Sequence, residues 1–188
     1  MLCRMTNSTV TLADISNRLN QDYGGKELGL PSGFFITDNR AQPEPEKVIA
    51  QLPKEFAVIF RDYDHPGRQE LGRVLRQRCR ERGLRFLVAG NEALAHEIDA
   101  DGLHLPEALM SKAAHIRGLY PRWLITAACH GEKAVKKAGK LGIDAGLIAP
   151  VFPTVSHPET IDGSRPTLGL TGVRDLVKAS KIPLYALG

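Results

Sequence analysis

Phe34-Phe35-Ile36-Thr37 runs straight into Asp38-Asn39-Arg40, and this junction decides the fold. The run is apolar without alternation, as in a parallel strand covered on both faces. The residues that follow are polar and contain no glycine. An open dinucleotide-binding sheet places a glycine-rich turn directly after its first strand. Without that turn, the other architecture that alternates parallel strands with helices is favoured, a barrel.

The same beat continues along the chain. Nearly continuous apolar runs lie at 56–60, 84–88, 102–105, 124–127, 145–148 and 184–187. Between them the apolar residues take helical spacing. The stripes are Val48, Ile49 and Leu52, then Leu71, Val74, Leu75 and Cys79, then Ala93, Leu94 and Ile98. Ala134, Val135, Ala138 and Leu141 follow, and Val173, Leu176 and Val177 complete the set, with a weaker signal at Ala113, Ala114 and Ile116. The expected fold is α/β, a TIM (β/α)8-type barrel of seven visible strands whose eighth is missing from the chain. An unfilled gap leaves two strand edges bare, so an N-terminal segment, a partner or further chain is expected to cover it. Residues 1–32 read as an N-terminal extension, with Leu12, Ile15 and Leu19 on one side of a short helix over 11–19. Residues 33–188 read as the barrel domain, C-terminally incomplete.

The 188 residues, 43% hydrophobic and 24% charged, suffice for one compact domain and exclude a disordered composition. A net charge of +4 is a mild bias toward anionic small molecules. The arginines between 68 and 82 have no interleaved aromatic platform, so they read as a solvated helix face and no nucleic-acid partner is expected. Three cysteines with no paired spacing point away from a disulfide framework and from structural zinc, and toward the cytoplasm. No apolar run is long enough for a membrane span.

Barrel sites lie where strands run into loops at the C-terminal rim. There Arg61 offers a fork of donors suited to phosphate, or else an ion pair with Asp38 or Asp62. His104, between Leu103 and Leu105, reads either as a hydrogen-bonded core histidine or as a group facing a ligand. Thr126 lies near the end of the fifth run. Thr154, Ser156 and His157 follow the sixth, behind Pro150 and Pro153, and Gly188 follows the seventh. Cys129-His130 suggests a nucleophile and base, but adjacent residues seldom converge and no orienting group can be assigned. No catalytic residue is assigned and no metal ligand is named. Asp38, Asp62 and Asp64 could bind Mg²⁺, but carboxylates on wet loops need no such role.

The chain resembles the thiamine phosphate synthase / TenI family over residues 34–188. Asp101-Gly102-Leu103-His104-Leu105 is similar to the family's ADGVHL strand, and Ile148-Ala149-Pro150-Val151-Phe152-Pro153-Thr154 to its GPIFPT segment. Phe35-Ile36-Thr37-Asp38, Leu168-Gly169-Leu170 and Pro183-Leu184-Tyr185-Ala186-Leu187-Gly188 match in the same order. The resemblance implies a transferase of thiamine biosynthesis that joins hydroxymethylpyrimidine pyrophosphate to thiazole phosphate, releases pyrophosphate and uses Mg²⁺. It also implies a phosphorylated small-molecule substrate and a homodimer. TenI-type relatives act on thiazole aromatisation. The matching positions depart from the synthase pattern at several points. Glutamine, arginine and lysine of the second rim segment correspond to Ile59, Arg61 and Tyr63. Asn-Asp of the third corresponds to Ala89-Gly90, and Gln-Glu-Asp of the fourth to Glu107-Ala108-Leu109. Thr-x-Thr-Lys of the sixth corresponds to Thr154-Val155-Ser156-His157. Both metal carboxylates are therefore replaced. The alternative reading is a non-catalytic barrel that binds a phosphorylated small molecule or a partner protein.

Overall fold

The computed structural model describes residues 10–154 and 158–187. In chain order it runs α1 (Leu12–Asp22), β1 (Gly33–Ile36), α2 (Pro45–Ile49), β2 (Phe56–Phe60), α3 (Arg68–Arg82), β3 (Arg85–Ala89) and α4 (Glu92–Glu97). It continues with β4 (Gly102–Leu105), a 3₁₀ turn (Glu107–Lys112), α5 (Ala113–Leu119), β5 (Leu124–Cys129), α6 (Glu132–Ala138), β6 (Ala145–Ile148), α7 (Gly169–Ala179) and β7 (Leu184–Ala186). The strands form one sheet in sequence order, β1 to β7, and every pairing is parallel. The expected α/β barrel is thus present, seven strands curled nearly to closure with helices outside.

Strand periodicity sorts the side chains into two layers. Ala57, Ile59, Leu87, Ala89, Leu124, Ala145 and Leu147 form one cluster, the filling of the barrel. Val58, Phe60, Phe86, Val88, Leu103, Leu105, Ile125 and Ile148 form the other, against Leu75 and Cys79 of α3, Ile116 of α5 and Val135 of α6. This explains why the runs are apolar at nearly every position. Each fully buried leucine, isoleucine or phenylalanine contributes roughly 1.5–3 kcal/mol. Val74, expected in the α3 stripe, is instead 43% exposed. Leu71, Leu75 and Cys79 already complete the seam, and Val74 falls on its outer side.

The N-terminal ends of the strands are locked by a repeated device. Asp101, just before β4, accepts from Phe86 N of β3 at 2.8 Å and takes both terminal nitrogens of Arg76 at 2.8 and 2.9 Å. Asp144, just before β6, accepts from Ile125 N of β5 at 2.7 Å and from Arg117 Nη2 at 2.6 Å. Gly102 is required nearby, because a Cβ there would stand 2.0 Å from the Leu124 carbonyl oxygen.

The outer strands differ from the inner ones. Every residue of β1 is half-buried, and β7 is half-buried to exposed, whereas β4 and β6 are buried throughout. Phe34 and Tyr185 meet edge to face at 4.7 Å, and the Tyr185 hydroxyl donates to Pro31 O at 2.5 Å. Inward side chains of β7 and β1 therefore touch although their backbones are not paired. The helix expected over 11–19 extends further, as α1, and starts with a Thr11/Asp14 capping box. Its Leu12, Ile15 and Leu19 face outward and are exposed, and Asn20 Nδ2 ties it to Leu30 O at 3.1 Å. Among the described residues no helix is long and apolar enough to cross a membrane.

Candidate functional site at the C-terminal rim

β1 and β2 deliver the first part of the rim. Thr37 is fully buried, and its hydroxyl accepts from Arg61 N at 3.0 Å, which fixes where Arg61 leaves the sheet. Arg61 Nη2 donates to Asp38 Oδ2 at 2.8 Å. Arg40 grips the same carboxylate through Nε at 2.9 Å and Nη2 at 2.8 Å. The hydrogen bonds from Arg40, with the charges of Arg40 and Arg61, pull the Asp38 carboxyl down to about 2 despite partial burial. The ion-pair reading of Arg61 is therefore correct as far as it goes. One donor is engaged, while Nε and Nη1 have no partner among the described residues. The Arg61 side chain remains 35% exposed.

β4 and β5 supply the floor. His104 and Thr126 sit opposite one another in the strand register, and His104 Nδ1 lies 2.9 Å from Thr126 Oγ1. Both are buried. Burial first, and the Arg61 charge second, lower the imidazole pKa to about 4, so the ring is neutral near pH 7. Nε2 makes no hydrogen bond among the described residues. If the Thr126 hydroxyl donates to Nδ1, Nε2 carries the proton and becomes a donor; if it accepts, Nε2 is an acceptor.

Three further segments complete the rim. Glu107 Oε2 accepts from His130 N at 2.8 Å, and His130 Nδ1 lies 3.2 Å from Ala149 O, tying together the ends of β4, β5 and β6. Thr154 N donates to Thr160 Oγ1 at 3.0 Å. Pro150 O and Val151 O accept from Leu168 N and Gly169 N, both at 2.9 Å, so the loop folds back on the start of α7. Of the residues expected in the site, His104 and Thr126 are in contact, and the Arg61 charge reaches His104. Thr154 belongs to a separate loop, with no described contact to either. Ser156, His157 and Gly188 lie outside the described residues. The Cys129-His130 pair does not converge: Cys129 Sγ packs in the outer layer, and burial, with the Glu107 charge, pushes the thiol up to about 11.

Sequence reasoning placed Thr37 at the rim but gave it no role, although a hydroxyl closing an apolar run was a signal. It missed Arg68. That guanidinium lies 5.3 Å from the Phe60 ring centre and 5.2 Å from that of Tyr63, while Nη2 donates to Ala89 O at 2.8 Å. The signal had been absorbed into the arginine run of α3.

The Mg²⁺ that the resemblance implies needs free hard oxygens. Asp38 is shared by two arginines and Glu107 holds His130 N, while Asp62 Oδ1 accepts from Asn39 N at 2.6 Å and its buried Oδ2 alone has no partner among the described residues. Among the described residues no group of three or more histidine, cysteine or carboxylate side chains is placed to hold a metal. This donor set does not fit a protein-held Mg²⁺.

Comparison with known proteins agrees with the fold. The thiamine-phosphate synthase of Pyrococcus furiosus is 34% identical over 159 residues, 82% of this chain and 73% of that protein. That of Levilactobacillus brevis is 32% identical over 173 residues, 86% of this chain and 78% of that protein. A solved thiamine phosphate pyrophosphorylase from Pyrococcus furiosus superposes with a TM-score of 0.68 at 29% identity, covering 83% of this chain and 74% of that one. The citrate synthase SbnG shares the fold alone, with a TM-score of 0.60 at 12% identity over 93% of this chain and 81% of that one. The family model described as thiamine monophosphate synthase, TMP-TENI, matches residues 34–188. With that match running from β1 through β7, the chain belongs to the thiamine monophosphate synthase family.

Proposed function

We propose that this chain is an enzyme of thiamine biosynthesis that takes a phosphorylated thiamine precursor at its C-terminal rim. The observation that carries this reading is Arg61, anchored by Thr37, with donors unspent beside a neutral His104. Arg61 would hold the phosphate, and its fixed charge requires no proton uptake. His104 would offer one ring nitrogen to a heterocycle, oriented by Thr126. Burial of both floor groups excludes water from beneath the ligand and strengthens these polar contacts. In the condensation catalysed by synthases of this family, the bond from the pyrimidine unit to pyrophosphate breaks as the thiazole nitrogen forms the new bond. The leaving group takes the electron pair. Here the arginine side of the rim would steady phosphate oxygens, without a metal-bound step being assigned.

A second reading, a barrel that binds the ligand without turning it over, is favoured by the engagement of Asp38 and Glu107. Incubation with hydroxymethylpyrimidine pyrophosphate, thiazole phosphate and Mg²⁺ separates the two. Thiamine phosphate formation that falls with Arg61→Ala supports the enzyme. Thiazole phosphate binding without product supports the second reading. Neither binding nor product rejects the rim as a site.

A further inference from the structure

The carboxylate locks on the N-terminal face stop halfway round it. Asp101 holds β3 to the segment before β4, and Asp144 holds β5 to the segment before β6. On the other side, the starts of β1, β2 and β3 border an open cavity of about 490 Å³. One wall of that cavity is α1, through Asn17, Asn20 and Gln21. A surface helix ordinarily turns its apolar side to the body. Here Leu12, Ile15 and Leu19 point away, no residue of α1 is buried, and amides face the barrel. The wall is anchored at its end: Asn20 Nδ2 donates to Leu30 O at 3.1 Å, Lys26 N to Asn20 O at 3.2 Å, and Leu30 N to Gly25 O at 2.8 Å. The apolar part of the lining is buried Leu30 and Pro31 with half-buried Phe56. Lys26, Lys54 and Arg85 also line the cavity, against a single carboxylate, Glu55. Arg85 gives Nη2 to Gly29 O. The side chains of Lys26 and Lys54 have no ion-pair or hydrogen-bond partner among the described residues.

We infer that this cavity is a second binding site, on the face opposite the rim, for a small dianion with an apolar body. Three cations and one carboxylate leave an excess of two positive charges, which a dianion neutralises and a monoanion does not. The remaining donors of Arg85 suit a carboxylate or a phosphate group, and each lysine adds a point charge. Leu30, Pro31 and Phe56 take the apolar body. The volume falls within the roughly 300–1,000 Å³ of small-molecule sites. A dicarboxylate and a phosphate ester share this chemistry. Either one joins α1 to the starts of β2 and β3, and so adds contacts to a helix that buries none of its own residues. The site owes nothing to the rim and stands or falls separately from it.

The test is NMR titration of the ¹⁵N-labelled full chain with phenyl phosphate, with phthalate and with the monoanion benzoate. The expected result is a saturable shift of the Asn20, Gln21, Lys26 and Phe56 amides, with a dianion Kd at least about 10-fold below that of benzoate. Saturation by both dianions, or by one alone, supports the site, and the second case names the source of the charge. The double variant Lys26→Gln/Lys54→Gln removes two exposed side chains and keeps the Arg85 bond to Gly29. It should weaken dianion binding at this segment at least ~10-fold, while Arg61→Ala leaves that binding as in the parent. The inference is overturned by the absence of a saturable shift in this segment, or by benzoate binding as tightly as the dianions. Unchanged binding by the double variant overturns it as well. Shifts confined to Arg61, His104 and Thr126 also overturn it, because the anion then binds at the rim alone.

Discussion

Arg76 and Arg61 stand at opposite ends of the strands and are held in different ways. Arg76 meets Asp101 through both terminal nitrogens, donates through Nε to Asp99 O at 2.8 Å, and is 11% exposed. Its described donors are largely committed. Arg61 gives one guanidinium nitrogen to Asp38, and its Nε and Nη1 have no partner among the described residues. The Arg117–Asp144 pair repeats the Arg76 arrangement two strands further on, again reaching the backbone of the preceding strand. Repetition of a multiply bonded ion pair at one end marks a stabilising element of the βα unit. Incomplete pairing at the other end marks capacity to bind. In β/α barrels this division between a stability face and a working face follows the strand direction.

The comparison breaks if rim groups carry the fold, and His104 is the strongest challenge. Its pKa is lowered from 6.5 to about 4, so the unfolded chain binds the extra proton between those values. Its contribution is present in full above pH 6.5 and is lost as pH falls toward 4, by on the order of 3 kcal/mol. Urea unfolding of the parent and of His104→Gln at several pH values should give curves whose difference steepens in that window. Parallel curves would show that His104 is not held neutral by the fold.

At the opposite end, Arg76→Ala should destabilise by about 2 kcal/mol, because it leaves Asp101 with only its bond from Phe86 N. Denaturant midpoints test this, and ligand affinity should stay as in the parent. Arg61→Ala should cost less than about 1 kcal/mol in the same assay, since Arg40 continues to pair with Asp38. A larger loss would place Arg61 with the structural arginines. The smallest effect is expected at Arg80, whose partner Asp99 is 85% exposed. Arg80→Ala should change stability by no more than roughly 0.5 kcal/mol, and added salt should erase the difference.

Much of this architecture was legible from periodicity. The runs at 56–60, 102–105 and 145–148 coincide with strands, because burial on both faces favours apolar residues at nearly every position, His104 excepted. The run at 84–88 is displaced by one: Arg85 opens β3 from the exposed end, and Ala89 closes it inside the barrel. The site was less legible. Reading the C-terminal part of each strand and the residues after it identified Arg61, His104 and Thr126, since strand ends in a barrel are known positions. Whether a charge is free depends on contacts across elements, and spacing carries no record of those. Thus six arginines between 68 and 82 look alike in sequence, yet Arg68 packs against aromatic rings at the rim while Arg73, Arg76, Arg78 and Arg80 pair with acids. The exposed apolar side of α1 was equally hidden, because amphipathic spacing states that a helix has two faces and not what covers them.

The linear order β1 to β7 has a consequence for how the molecule opens. An inner strand must lose two ladders to detach, whereas β1 and β7 each lose one. Amide hydrogen exchange should therefore be fastest in β1 and β7 and slowest in the middle of the sheet, fraying from both ends inward. The Phe34–Tyr185 contact and the bond to Pro31 act as a latch across that seam. Tyr185→Phe keeps the ring contact and removes the hydroxyl, so deuterium uptake should rise in both terminal strands together while β4 keeps its protection.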